Sequence, residues 1–211
     1  MPTRREVMSR LLAEQGRTYA EEAGIRLRDT PQPLYRLLVL AHLLSARIRG
    51  DIAVAAARAL ADDGLRGPRA MADATWQRRV DALGRGGYRR YDERTATQLG
   101  DGARLLLDEY GGDLRRLRDA ADGRVTDLRR ALRRFPGIGP AGADIFLREA
   151  QRVWTGVAPY LDTKALEGAE RLGLPDRPAA LMRLADGAEP AVVAAALVRA
   201  ALGARPAGTS T

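Results

Sequence analysis

The sequence predicts an all-α protein of about ten helices packed in layers. Three observations predict it. Apolar residues recur at three- and four-residue spacing along most of the chain, strand-like alternation is absent, and prolines and glycines fall where helices start and stop.

Leu34, Leu37, Leu38, Ala41, Leu44 and Ile48 mark one apolar helix face, with Pro31 and Pro33 at its start. The pattern resumes over Ile52–Leu60 after the Gly50-Asp51 break, with Asp51 expected as N-cap. Pro68–Ala74 is a short helix. Thr75–Leu83 is another, stopped by Gly84, Gly86 and Gly87. Asp92–Tyr110 is long and amphipathic and ends at Gly111-Gly112. Asp113–Ala121 and Thr126–Arg134 follow, the second with Thr126 expected as N-cap. A helix from Pro140 to about Val153, a loop over Thr155–Leu161, and helices Thr163–Leu172, Pro178–Ala185 and Pro190–Leu202 complete the reading. The Pro-, Gly- and Ser/Thr-rich tail, residues 205–211, is expected to be disordered.

Composition narrows the function classes. The 211 residues are 45% hydrophobic and 29% charged, as in globular proteins, and carry a net charge of +8, which favours a polyanionic partner. There is no cysteine and a single histidine, His42, so disulfides, thiolate-ligated metals and His-cluster metal sites are excluded. No apolar run spans a bilayer, and the first residues lack the apolar stretch of a signal peptide, which sets a cytoplasmic expectation with no membrane partner. Lys164 is the only lysine among 35 basic residues.

The most informative stretch is Arg133-Arg134-Phe135-Pro136-Gly137-Ile138-Gly139-Pro140-Ala141-Gly142. An Arg-rich helix runs into a turn whose glycines allow close backbone approach, and a new helix follows at once. Ile138 can pack inward and pin the turn. The N–H groups of Gly137, Gly139, Ala141 and Gly142 then point towards one place, where a phosphate oxygen would be held with help from the helix dipole. Such contacts position a protein on DNA without reading sequence. Taken alone, the turn is also an ordinary helix connector, and Asp162, just before a helix, is also an ordinary N-cap.

Four segments in order carry a family resemblance. Phe135–Ala143 resembles the hairpin of the endonuclease III-like helix-hairpin-helix DNA glycosylases. Leu161-Asp162-Thr163-Lys164 resembles their Val-Asp-Thr-His segment. Leu43-Leu44-Ser45-Ala46-Arg47 resembles a Leu-Leu-Ser-Ala-Gln helix segment, and Arg171-Leu172-Gly173 resembles the Arg-Leu-Gly that often follows the aspartate. The resemblance implies two helical lobes: residues 27–153 containing the hairpin, and residues 1–26 with 154–211. It implies duplex DNA with a lesion or abasic site as partner, a flipped nucleotide, and a protein that acts as a monomer. Asp162 would be the catalytic carboxylate, stabilising a cationic sugar or orienting the attacking water.

The departures from the family pattern matter. The family's lysine nucleophile is replaced by Ala141, which favours a monofunctional glycosylase. The cysteines of its iron–sulfur cluster are absent, so no metal or organic cofactor is expected, although the resemblance allows a potassium or sodium ion at the hairpin carbonyls. Lys164, close to Asp162, is a candidate Schiff-base nucleophile for an abasic-site lyase. Two other readings stay open: that lyase, and a damaged-DNA-binding protein without chemistry.

Further DNA-facing candidates are Arg47, at the position of a gap-filling glutamine, and the basic loop Gly84–Tyr91. In that loop Tyr88 is expected to stack or intercalate and Arg89 to hold phosphate. Arg134, with Arg129, Arg130 and Arg133, adds to the phosphate field, some of these pairing with Asp127 or Asp144. His42 reads as a core histidine, and Tyr160 and Trp154 as pocket-lining or core aromatics.

Overall fold

A computed structural model describes residues 2–203. Tail residues 205–211 lie outside the described residues. All regular structure among the described residues is helical. In chain order the helices are α1 (Arg4–Gln15), α2 (Tyr19–Glu22), α3 (Pro31–Ser45), α4 (Gly50–Asp62), α5 (Pro68–Asp73), α6 (Trp76–Arg85), α7 (Asp92–Tyr110), α8 (Leu114–Ala120), α9 (Val125–Leu132) and α10 (Pro140–Ala150). After a 3-10 turn, Thr155–Val157, come α11 (Thr163–Arg171), α12 (Pro178–Leu184) and α13 (Pro190–Leu202). The chain divides into two compact units: residues 20–146, and the residues up to Tyr19 together with those from Leu147 onward.

In the unit of residues 20–146, α3 packs against α4, and α7 packs against α5 and α6. Leu34, Leu37, Leu40 and Leu43 of α3 are fully buried. They belong to a helix buried on all sides between Leu37 and Leu43, and each contributes about 1.5–3 kcal/mol by leaving water. Arg79, 4% exposed, ties helix ends together. Its Nε donates to Ala96 O at 2.7 Å, and its Nη1 to Met71 O at 2.9 Å and Ala74 O at 2.7 Å. A buried guanidinium is tolerated here because backbone carbonyls accept its hydrogen bonds.

The second unit is built on α11 against α13, with α1 packed on α13. Met8, Leu161, Ala165, Ala169, Leu181, Val193 and Leu197 form its core. Gly168 permits the α11–α13 approach: a Cβ there would lie 1.8 Å from Leu197 O.

Helix starts differ from expectation at two places. α4 begins at Gly50, so Asp51 sits inside the first turn, where it accepts from Arg49 Nη2 at 2.7 Å instead of capping. α9 begins at Val125, which puts Thr126 inside the helix. Helix α1 was not anticipated, because its outward face is polar and its apolar periodicity weak. Its signal is the capping box Thr3–Glu6, in which Glu6 N–H donates to Thr3 Oγ1 at 3.3 Å and Thr3 N–H to Glu6 Oε2 at 2.7 Å.

Candidate functional site

In the unit of residues 20–146, α9 and α10 are joined by the turn Arg133–Gly139. Phe135 and Ile138 are buried and anchor it. Ile138 N–H donates to Phe135 O at 3.0 Å, closing the turn, and Ala143 N–H donates to Gly139 O at 3.1 Å. Gly137 adopts φ +83°, a conformation open to glycine at no steric cost. Gly142 makes room for Ile138, whose Cγ2 would lie 3.3 Å from a Cβ at 142. Gly139 and Ala141 face solvent. Among the described residues, no hydrogen bond takes up the N–H groups of Gly137, Gly139, Ala141 or Gly142. They form a set of donors at the positive end of α10.

Beneath the turn lies His42. A Cβ at Gly137 would come within 2.5 Å of its imidazole and 2.6 Å of Gln98 Oε1. His42 is buried, and its Nε2 is 3.1 Å from Gln98 Oε1. Burial pushes its pKa down to about 4, against the opposing hydrogen bond to Gln98 and with the positive charge of Arg94 adding to the drop. The ring is neutral at pH 7, and with the Gln98 oxygen as acceptor the proton sits on Nε2. His42 is the core histidine expected, and it also floors a cleft.

That cleft, about 400 Å³, is open to solvent and lined by His42, Ser45, Arg47, Tyr91, Arg94 and Gln98, among others. Arg47 and Arg94 are exposed and have no acidic partner among the described residues. Arg94 and Gln98 were missed in the sequence because one helical turn of α7 separates them in an otherwise ordinary amphipathic pattern.

The Tyr88 expectation is corrected. Its side chain is fully buried, with its hydroxyl 3.3 Å from Thr95 Oγ1, so it is not an exposed stacking residue. The ring is large and apolar enough to be drawn into the core where α6 ends, and a first-turn threonine of α7 satisfies its hydroxyl. The neighbouring Arg89 is exposed, and the Arg90 guanidinium lies 5.2 Å from the Tyr91 ring centre. Arg134 is exposed but paired with Glu109 at 2.6 Å, Arg129 pairs with Asp144 at 2.8 Å, and Arg130 with Asp127 at 2.9 Å.

In the other unit, Asp162 is the N-cap of α11 and accepts from Ala165 N–H at 3.2 Å. Its carboxylate also meets Arg148 Nη1 at 3.3 Å, and both side chains are 9% exposed. The loop leading to it is held by Gln151. That side chain donates to Arg148 O at 2.8 Å and Tyr160 O at 3.0 Å, and accepts from Tyr160 N–H at 2.7 Å. Arg148 and Gln151 were not anticipated, since both fall in a stretch read only as helix. Lys164 lies half-exposed in an ion pair with Glu167 at 2.6 Å. Trp154 is buried and Tyr160 partly so.

The chain contains no cysteine, so its residues do not fit an iron–sulfur cluster. Among the described residues no three His, Cys, Asp or Glu side chains converge as a metal site. A monovalent ion at the hairpin would rest on backbone carbonyls, two of which, those of Phe135 and Gly139, already accept hydrogen bonds. Among the described residues no helix is long and apolar enough to cross a membrane.

No family model matches the chain. No curated protein matches it by sequence. Among solved structures it is similar to endonuclease III trapped as a covalent intermediate with DNA in an estranged-adenine complex. The TM-score is 0.52 at 17% identity, over 94% of this chain and 86% of that one. The protein therefore has an endonuclease III-like, all-helical fold in which α9, the Phe135–Gly139 turn and α10 form a helix-hairpin-helix.

Proposed function

We propose that this protein is a DNA glycosylase of base-excision repair, acting on a damaged or mismatched base in duplex DNA, with Asp162 as its catalytic carboxylate. The observation that carries the reading is the likeness in fold to an endonuclease III–DNA complex over 94% of the chain. Two local features support it. The hairpin offers uncommitted N–H groups of the kind that hold a phosphate, and Asp162 heads α11 as a partly buried carboxyl acceptor. Arg47, Arg94 and Arg89 supply positive charge for the phosphate backbone.

In this reading the hairpin grips the strand and the lesion nucleotide is flipped. Asp162 then accepts a proton from the attacking water or balances the cationic sugar as the glycosidic bond breaks. Ala141, where bifunctional relatives carry lysine, supports a monofunctional reaction. The Lys164 amine is engaged by Glu167 at 2.6 Å, which weighs against a Schiff-base lyase. The Arg148–Asp162 pair favours one other reading, a damaged-DNA-binding protein in which Asp162 is only structural.

The experiment is a panel of duplexes carrying uracil, thymine mismatches, oxidised bases, alkylated bases and abasic sites. Base loss from one of them, absent in Asp162→Asn, is expected. Binding without product on any duplex favours the non-catalytic reading. Cleavage of the abasic duplex alone assigns a lyase.

A further inference from the structure

Arg148, on the last turn of α10, is 8% exposed and points its Nη1 at Asp162 Oδ1, 3.3 Å away. Ala165 N–H, in the first turn of α11, donates to the same oxygen at 3.2 Å. Oδ1 is thus held from two directions by two different helices. Among the described residues no hydrogen bond reaches Oδ2. Among the described residues Oδ2 is not one of the fully buried polar atoms that lack a partner, so it is the oxygen open to water or a bound ligand. The approach to the site is fixed as well, because Gln151 clamps both the carbonyl of Arg148 and the backbone of Tyr160.

We propose that Arg148 is a positioning residue for Asp162: it fixes Oδ1 so that Oδ2 is the oxygen presented to the substrate or the attacking water. The inference rests on the glycosylase reading above. An arginine suits the role because it stays protonated through any step at Asp162 and donates from a rigid plane. Its charge has a second, opposing effect, since a guanidinium this close cancels part of the carboxylate's field. Removing Arg148 therefore slows the reaction if positioning dominates and speeds it if charge cancellation dominates, and the sign of the change separates the two.

The test compares single-turnover base release and duplex affinity for wild type, Arg148→Gln, Arg148→Lys, Asp162→Asn and the Arg148→Gln/Asp162→Asn double variant. Arg148→Gln is expected to lower the rate about 10- to 100-fold with affinity unchanged within about threefold. Arg148→Lys is expected to fall between it and wild type. The double variant is expected to be no slower than Asp162→Asn, because a residue that acts through the carboxylate has nothing left to position. A rate for Arg148→Gln at or above wild type overturns the proposal. So does a loss that tracks affinity, or a double variant slowed by both losses. If Arg148→Gln loses its helical circular dichroism, Arg148→Lys decides: a lowered rate at intact affinity supports the proposal, and a wild-type rate overturns it. A wild type that releases no base, or Asp162→Asn at wild-type rate, overturns the glycosylase reading and this inference together. Arg148→Gln at wild-type rate beside an inactive Asp162→Asn overturns this inference alone.

Discussion

Gly137 lies directly above His42: a methyl group added at 137 would sit 2.5 Å from the imidazole, at a backbone φ of +83°. Both the space and the dihedral at this point require glycine. Gly137→Ala is expected to destabilise the protein by about 1–3 kcal/mol and to weaken duplex binding, because the turn must shift its N–H groups to accommodate the methyl. Urea unfolding and fluorescence anisotropy with a labelled duplex check the two effects. An alanine variant with wild-type stability and affinity contradicts this account of the turn.

His42 gives the fold a pH dependence. Its folded pKa is pushed to about 4 by burial, below the ordinary 6.5. Between those values the unfolded chain binds the proton more readily than the folded one. The stabilisation is therefore fully present above pH 6.5 and is lost as pH falls from 6.5 through 4, by about 3 kcal/mol at most. Stability measured against pH in wild type and His42→Phe should show a slope in this window that the variant lacks. Parallel curves refute it.

Arg79 serves three carbonyls from a buried position, so its loss leaves acceptors without donors. Arg79→Met is expected to cost about 3 kcal/mol or more, even though methionine fills much of the volume. The urea midpoint measures this, and a midpoint unchanged from wild type rules it out.

Arg47 and Arg94 line the cleft without acidic partners among the described residues. Replacing both with alanine should weaken duplex binding at low salt and reduce the slope of log affinity against log salt by about 2. Because Arg134 is paired with Glu109, Arg134→Ala should change that slope less than either cleft arginine does.

The sequence made the hairpin legible because its signals are local. Glycines, a proline and two flanking apolar residues define the turn within a few positions, and Phe135 and Ile138 are buried as that pattern requires. Asp162 as a helix cap was legible for the same reason. Tyr88 was not. Its glycine- and arginine-rich neighbours suggest an exposed loop, yet burial of its ring is decided by Thr95 and the start of α7. Arg148 and Arg79 were hidden in another way. In a chain whose positive charge is almost all arginine, residue type does not separate a buried, structural guanidinium from a solvated one. Only tertiary contacts do.

Single-turnover base release by wild type and Asp162→Asn, on whichever duplex the wild type processes, decides whether Asp162 carries the chemistry. The asparagine keeps an acceptor for Ala165 N–H and for Arg148, so α11 and duplex affinity should be retained. The account predicts a rate lowered by about a hundredfold or more at unchanged affinity. Base release by Asp162→Asn at the wild-type rate would contradict it.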